Sequence, residues 1–498
     1  MAERDFDVVV IGAGIGGLMC AAALAVSGSR VLVVERHQQP GGYCSSFRRR
    51  GYVFDCAVDC FGGAGPDGIF PRLLNALGLP DAVRFVRVDP IRESMFPHGR
   101  VRVPGSLEAY RERLCAMFPE EREGIRKALA EMSRIYRAAQ ERLAPIRDVP
   151  FWREREDPSA GTALAEVLLE YGRMTYRQFL DRFVSRPELH AVLSDRCPFL
   201  GLPPDRVAAV TACIAIMSYF HEGAYRVAGG CQKLSNALVR GIRSKGSAVW
   251  IGREVRRILV RGGQACGVQL DDGREIRAEA VVSNGDYKKT FRDLVGEAHL
   301  PPGFLRRLEG RRVSSSFFLV YLGVDLPVGD PAPVSSLGCF PSLDSRYAFG
   351  FSDSFDPRAS FGITIPTLLD PSMAPRGKHV VVIHKEVLAT HVRHWNAQKH
   401  AMAARLVDKA ASVLPGLREG IEHMEIATPW TLERYTGNTQ GAAYGWEQTP
   451  GQKPLEMPIR NLLVAGHWGA FGGGILSAAY SGCSAARSLE RCLEGSRR

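Results

Sequence analysis

The stretch VVVIGAGIGGLMCAAALAVSGSRVLVVERHQQPGG, residues 8–42, decides the fold. Val8, Val9, Val10 and Ile11 form a continuous apolar run, the pattern of a strand buried on both faces. Gly12, Gly14 and Gly17 follow at G-x-G-x-x-G spacing. Gly12 permits a tight turn, Gly14 lets a pyrophosphate approach the backbone, and Gly17 lets a helix pack close to the strand. That helix is expected from about Gly16 to Val26. The free N–H groups at its start, around Ile15 and Gly16, favour an anion. A second apolar run over residues 31–34 ends in Glu35, where a carboxylate accepts from ribose hydroxyls, with Arg36 beside it. Strand, glycine turn, helix, strand and acid together predict a dinucleotide site in an α/β fold.

The chain as a whole is too long for one core. It has 498 residues, 45% of them hydrophobic, and a net charge of +11. The basic excess is mostly arginine spread along the chain, with one cluster at Arg48, Arg49 and Arg50. No nucleic-acid-binding module is recognisable, so no nucleic-acid partner is expected. A solvated basic surface comes first among the explanations, and an anionic membrane surface or cofactor second. The twelve cysteines show no metal-site spacing, and Cys20, Cys213 and Cys483 sit in apolar segments. Reduced, buried thiols, no metal and a cytoplasmic location follow as expectations. No secretory leader and no membrane-spanning helix are expected; contact with the inner face of a membrane, if made, would be peripheral.

After residue 70 the nucleotide-binding pattern stops. Residues 105–145 read as helices broken at Pro119, with Ile125, Leu129, Met132, Ile135, Tyr136, Ala139 and Leu143 at helical spacing. Core packing is the first reading of that stripe, and a greasy cavity wall the second. Residues 207–220 are apolar nearly all round, so they must be buried or meet lipid. From residue 249 a β-meander with hairpin turns is predicted, then a separate buried strand at 280–283 running into Asn284-Gly285-Asp286. Further strands are expected at 317–324 and 380–384, and a helix at about 397–413. Near the end, residues 462–465 read as a strand, and Gly472, Gly473 and Gly474 open a second helix through Ile475. Two glycine turns far apart in sequence, each starting a helix, suit the two ends of FAD. Only one fingerprint is present, so a separate NAD(P)H domain is not expected.

With these pieces in view the chain resembles the phytoene desaturase, carotenoid cis–trans isomerase and retinol saturase family of amine-oxidase-like flavoproteins. The resemblance rests on Gly12 to Gly17 with Glu35, on Pro40-Gly41-Gly42, and on GYVFD at 51–55. It continues through AVVSNGD at 280–286, ERYTGNTQGAAYGWE at 433–447 and AGHWGAFGGGILSAAYSG at 465–482. It implies a Rossmann-like FAD-binding domain of the glutathione-reductase and amine-oxidase type, interleaved with an α+β substrate domain. The FAD-binding domain would be composite, from residues 1–70, 225–295 and 440–498. Residues 71–224 and 296–439 would form the substrate domain, with a helical part facing a membrane. By the same resemblance Val255 touches the adenine, Gly41 and Gly42 lie against the cofactor, and Gly466 through Gly473 and Gly474 line its ribityl and flavin end. Tyr444 and Trp468 are candidates for the wall beside the ring. Two departures from amine oxidases stand out. Tyr43-Cys44-Ser45-Ser46 replaces an arginine after the paired glycines, and His467 replaces an acid, where it could donate to the ribityl chain.

The chemistry implied is that of a flavin acting on an apolar polyene or other isoprenoid: it accepts a hydride in desaturation, returns one in saturation or, when reduced, promotes geometric isomerisation. Oxidation of a smaller metabolite or amine is the second enzyme reading. A non-catalytic escort of lipidated partners is the reading from another class. Asp55 and Asp59, taken as one helical turn apart, are weighed as a base, with Asp55 more simply satisfying backbone groups. No Ser-His-Asp pattern and no H-E-x-x-H occur, and no catalytic acid or base is named.

Overall fold

Apolar, β-branched residues set the first sheet. The strand Phe6–Ile11 lies between Val31–Glu35 and Glu275–Ser283, parallel to both. Ala248–Ile251 extends the sheet beyond Val31–Glu35, and Leu462–Val464 pairs with the far side of Glu275–Ser283, again in parallel. Val8, Val9, Val10, Leu32 and Val33 are all fully buried, as a strand covered on both faces requires. The structure is a computed structural model describing residues 4–147, 162–326, 334–350, 355–392, 394–453 and 455–497.

The meander and the next strand are not separate, as the sequence suggested. Glu275–Ser283 is one nine-residue strand. Its first half pairs antiparallel with Gln264–Leu270, and its second half pairs parallel with Phe6–Ile11. Polar residues alternate in the first half, where one face is solvated, and the pattern turns to the continuous apolar run Ala280, Val281 and Val282 where the strand enters the core. That change of pattern looked like a break between elements, and it is a change of neighbours.

The helix Ile15–Val26 is buried from Ile15 to Ala25. It packs against the C-terminal helix Ile475–Arg497, and glycine sets the spacing: a Cβ on Gly482 would meet the Gly16 carbonyl oxygen, with Cys20 N at 3.0 Å. Two helices from opposite ends of the chain are thus held together beside the first sheet.

The second sheet runs in the order Ile421–Ala427, Ser316–Val324, His379–Val387, Phe361–Thr364, Ser336–Cys339, Arg92–Phe96, Gly99–Val103. All its pairings are antiparallel except that of Ser336–Cys339 with Arg92–Phe96. The helix Trp395–Ala411 packs on one face through Trp395, Met402, Leu406 and Ala410. A helical layer completes the fold, with Leu107–Met117, Arg122–Arg147, Thr162–Tyr171 and Ala209–His221 around a core of their own. Among the described residues no helix is long and apolar enough to cross a membrane.

Candidate active site

Three strand ends meet at one level. Ile11 O accepts from Asn284 N at 2.8 Å, and Ser283 O accepts from Ala465 N at 2.9 Å. Gly12, Asn284 and Gly466 therefore stand side by side at the carboxyl edge of the parallel strands, where ligands bind in open α/β sheets. Gly12 has φ +90 and Gly466 φ +77, a left-handed region that favours glycine. Gly14 differs, because its φ of −65 would suit any residue. Space is what selects glycine there: an added Cβ would stand 2.7 Å from Asn284 Nδ2. On Gly16 it would stand 2.7 Å from Asn284 Oδ1 and 2.5 Å from Gly466 Cα. The Asn284 carboxamide thus lies over a slot floored by glycine backbone.

The paired glycines close one side of this slot. Gly41 N donates to Ala13 O at 2.7 Å, and a Cβ on Gly42 would be 3.4 Å from Gly14 Cα. At the slot's end Glu35 is held by two backbone donors, Ala13 N to Oε2 at 2.7 Å and His37 N to Oε1 at 2.8 Å. A carboxylate has about four lone-pair sites, so both oxygens can accept one further hydrogen bond. Neither helix that begins at the slot, Ile15–Val26 or Ile475–Arg497, has an acidic residue in its first turn, which leaves their N-terminal dipoles uncompensated.

The slot opens into one continuous cavity of about 1180 Å³. Gly12, Gly14, Ile15, Gly16, Glu35, Arg36, Gly41, Gly42, Val255, Gly466, His467, Gly473, Gly474 and Ile475 all line it. Gly17 lies behind the wall, where a Cβ would strike Gly12 O; its part is close helix–strand packing. Tyr444 lines the cavity and packs on Gly473, whose added Cβ would be 2.5 Å from the tyrosine Cβ. Trp468 is not on the wall: it is fully buried, edge-on to Trp446 at 4.9 Å, and donates to Asn438 Oδ1 at 2.8 Å.

His467 differs from the sequence expectation. Burial pushes its pKa down to about 4, so the ring is neutral at neutral pH. Its Nδ1 is 3.2 Å from Ala443 O. A carbonyl only accepts, so Nδ1 carries the proton and Nε2 is left as an acceptor rather than a donor. Asp55 and Asp59 are not a helical turn apart either, since Asp55 ends the strand Tyr52–Asp55 and Asp59 follows in coil. Asp55 accepts from Cys231 N and Ser46 Oγ, each at 2.7 Å, and faces Arg226 at 3.4 Å. Asp59 accepts from Ser336 Oγ at 2.8 Å and Arg226 at 3.3 Å. Both carboxylates are spent on structure.

Beyond the slot the wall is mainly apolar, and the nearly all-apolar 207–220 segment finds its explanation. Ala209, Ala212, Cys213, Ile216 and Met217 face the helical core, while Val210, Thr211, Ile214, Ala215 and Tyr219 face the cavity. Both faces avoid water, so no polar stripe is needed. The long helix before it divides similarly. Ile125, Leu129, Met132 and Ile135 are core, whereas Tyr136, Ala139 and Leu143 reach the cavity. Phe317, Leu319, Tyr321 and Val382 of the second sheet form the opposite wall.

Residues missed from sequence include Asn284, Arg196 and His384, all on the cavity wall. Asn284 had a signal, the end of a buried strand in SNGD. Arg196 and His384 had none, because their significance depends on what the fold leaves unpaired around them. Among the described residues no group of three or more His, Cys, Asp or Glu side chains could hold a metal ion.

A profile of flavin-containing amine oxidoreductases matches residues 15–489. The chain belongs to that family. It is an FAD-dependent oxidoreductase, and the slot fits the cofactor on its own evidence: backbone floor, a doubly held acid at one end and two uncompensated helix starts. Among its relatives is a chloroplastic prolycopene isomerase from Daucus carota, 27% identical, with 98% of this chain and 80% of that protein aligned. Another is a lycopene-forming phytoene desaturase from Pseudescherichia vulneris, also 27% identical, with 95% and 97% aligned. An oxidoreductase from Methanosarcina mazei shares the fold with a TM-score of 0.64 at 19% identity, covering 97% of this chain and all of the other. The amine-oxidase-type α/β architecture expected from the sequence is the one observed.

Proposed function

We propose that this FAD-dependent oxidoreductase acts on a long apolar polyene of isoprenoid type. One observation carries the reading: beyond the glycine-floored slot the same cavity continues between mainly apolar walls that include Val210, Ile214, Leu319 and Val382. A small amine would need a short pocket with a polar end. A chain of conjugated carbons needs a long apolar one. The names of the aligned relatives, which are carotenoid isomerases and desaturases, point the same way.

In this reading the N–H groups at Ile15 and Gly16 face the pyrophosphate, and Glu35 accepts from the adenosine ribose. Gly17 acts from behind the wall, by letting its helix approach. Arg36 and Val255 border the adenosine half, Gly41 and Gly42 the middle, and Gly466 to Ile475 the flavin half. His467, with Nε2 as an acceptor, receives a hydrogen bond from a ribityl hydroxyl. FAD, when bound, supplies a hydride acceptor or donor. The chain's own part is to hold the polyene against Tyr444 and Phe317, exclude water with the apolar residues of the wall and keep Asp55 and Asp59 paired with Arg226.

The cavity wall includes Leu164 and Leu168 of the helix Thr162–Tyr171, where Leu168 is 50% exposed and Leu169 is 90% exposed. Exposed leucines at a cavity edge on a chain of net charge +11 support peripheral docking on an anionic bilayer, where such a substrate dissolves. Expression in cells that make defined carotenoid precursors, followed by pigment analysis, tests the reading. A changed pigment that depends on an intact glycine slot is expected. Unchanged pigments, with peroxide formed from small soluble amines, overturn it.

A further inference from the structure

The cavity is not apolar throughout. Arg196 lies on its wall and is only 6% exposed, and it has only the Cys60 thiol, a weak acceptor, against its guanidinium; neither terminal nitrogen has an oxygen or nitrogen partner in hydrogen-bond geometry. Its guanidinium carbon sits 4.6 Å from the Tyr219 ring centroid and 5.2 Å from that of Phe199. The carboxylate of Asp59 stands 3.8 Å away and is already taken by Ser336 and Arg226. His384 repeats the pattern on the other wall. It is 6% exposed, lines the cavity, and its Nε2 has no partner. Its ring lies 5.4 Å from the same Phe199 ring and fills the space left by Gly362, where a Cβ would meet the imidazole.

Two buried polar groups without an oxygen or nitrogen partner, converging around one phenyl ring in a cavity, are costly to the folded chain. They are expected where a ligand satisfies them. A pure hydrocarbon would bury them and leave both unsatisfied. We propose that Arg196 and His384 form a subsite for a neutral oxygen function, a carbonyl or hydroxyl, carried by the polyene substrate. The inference rests on the polyene reading and narrows it from hydrocarbons to oxygenated isoprenoids.

Charge selects the neutral form. In this buried region Arg92, Arg196 and Arg226 stand against Asp55, Asp59 and Asp195, and burial moves Lys385 and Glu386 both towards neutrality. A carboxylate would add an uncompensated negative charge. A carbonyl adds none and accepts from the guanidinium. Burial and the nearby Arg92, Arg196 and Lys385 push the His384 pKa down to about 4, so its neutral ring donates to a carbonyl or accepts from a hydroxyl. Location adds a constraint. His384 is linked to Tyr444 through Phe317, with ring centroids 6.3 Å and 6.0 Å apart, and Tyr444 packs on Gly473. The oxygen is therefore held near the flavin half of the slot.

The test uses the purified holoprotein and matched polyenes of one chain length, the hydrocarbon, its ketone or alcohol and its carboxylic acid, in one detergent. Tryptophan quenching gives a dissociation constant for each, independent of turnover. The ketone or alcohol is expected to bind at least about tenfold more tightly than the hydrocarbon, which is ~1.4 kcal/mol. The acid is expected to bind more weakly than the ketone. Arg196→Met should bring the ratio of ketone to hydrocarbon affinity close to one, and Arg196→Lys should restore part of it. Flavin content and thermal midpoint report whether each variant folds; if Arg196→Met does not, His384→Phe and the wild-type series decide. Equal wild-type affinities, an acid that binds best, or a ratio that survives in Arg196→Met would overturn the subsite. If no polyene binds at all, the polyene reading itself fails; if polyenes bind and react with indifference to oxygen, only the subsite fails.

Discussion

Replacing Glu35 separates cofactor recognition from folding. Its two oxygens each accept one backbone N–H, from Ala13 at 2.7 Å and His37 at 2.8 Å, and each can accept one more. With FAD placed as proposed, Glu35→Ala removes hydrogen bonds from the ribose to a charged acceptor, worth roughly 1.5–3 kcal/mol in total. FAD affinity should therefore fall roughly ten- to 150-fold. The buried Ala13 N–H also loses its partner, at a cost of about 1–3 kcal/mol to the fold. Glu35→Gln keeps one acceptor but turns an amide N–H₂ towards one of the two backbone donors, so it should fall between wild type and Glu35→Ala. The assay is titration of apoprotein with FAD and, in parallel, with FMN, which has no adenosine ribose. Only FAD binding should weaken. Equal weakening of both flavins would show that Glu35 acts through loop folding alone, and unchanged FAD affinity would remove it from the site.

Gly14→Val should purify folded by circular dichroism but almost free of flavin, because φ −65 tolerates a side chain while the slot does not; a yellow variant would contradict the slot. Gly482→Ala does not touch the cavity, yet its Cβ would strike Gly16 O and force two helices apart. A loss of about 1–3 kcal/mol in stability is expected, with weaker FAD binding alongside; a thermal midpoint equal to wild type would refute that packing. His384 and His467 are both pushed down to about 4 from the ordinary 6.5. The folded chain then binds fewer protons than the unfolded chain between those values, so stability falls as pH drops from about 6.5 to 4, by about 3 kcal/mol for each histidine. Denaturant midpoints flat across that window in wild type, or unaltered in slope by His384→Phe, would contradict it.

The cofactor end was legible because its signals are local. A parallel strand buried on both faces must be apolar throughout, a turn under a helix start needs glycine, and the acid must follow the second strand; these constraints act within 35 residues and leave a pattern. The end of Leu462–Val464 and the glycines at 472–474 carried the same signals once more. Elsewhere local pattern misled or fell silent. The strand Glu275–Ser283 changes its hydrophobic period because its neighbours change, and period alone looked like two elements. Asp55 and Asp59 were spaced like a helical pair but lie in a strand end and coil, bound to Arg226.

What the sequence by itself determined is the nucleotide-binding sheet, its carboxyl-edge glycines, the FAD and the α/β class, since each follows from backbone geometry and short-range sterics. The tertiary structure alone decided which residues share the cavity. Arg196 on a helical connection and His384 on a distant strand meet at Phe199, and Asn284 lies over glycines from both ends of the chain. It also decided the state of His467, whose tautomer depends on the Ala443 carbonyl. The physical reason is that burial, pairing and protonation belong to a side chain's surroundings, and those surroundings are assembled from residues that no local pattern connects.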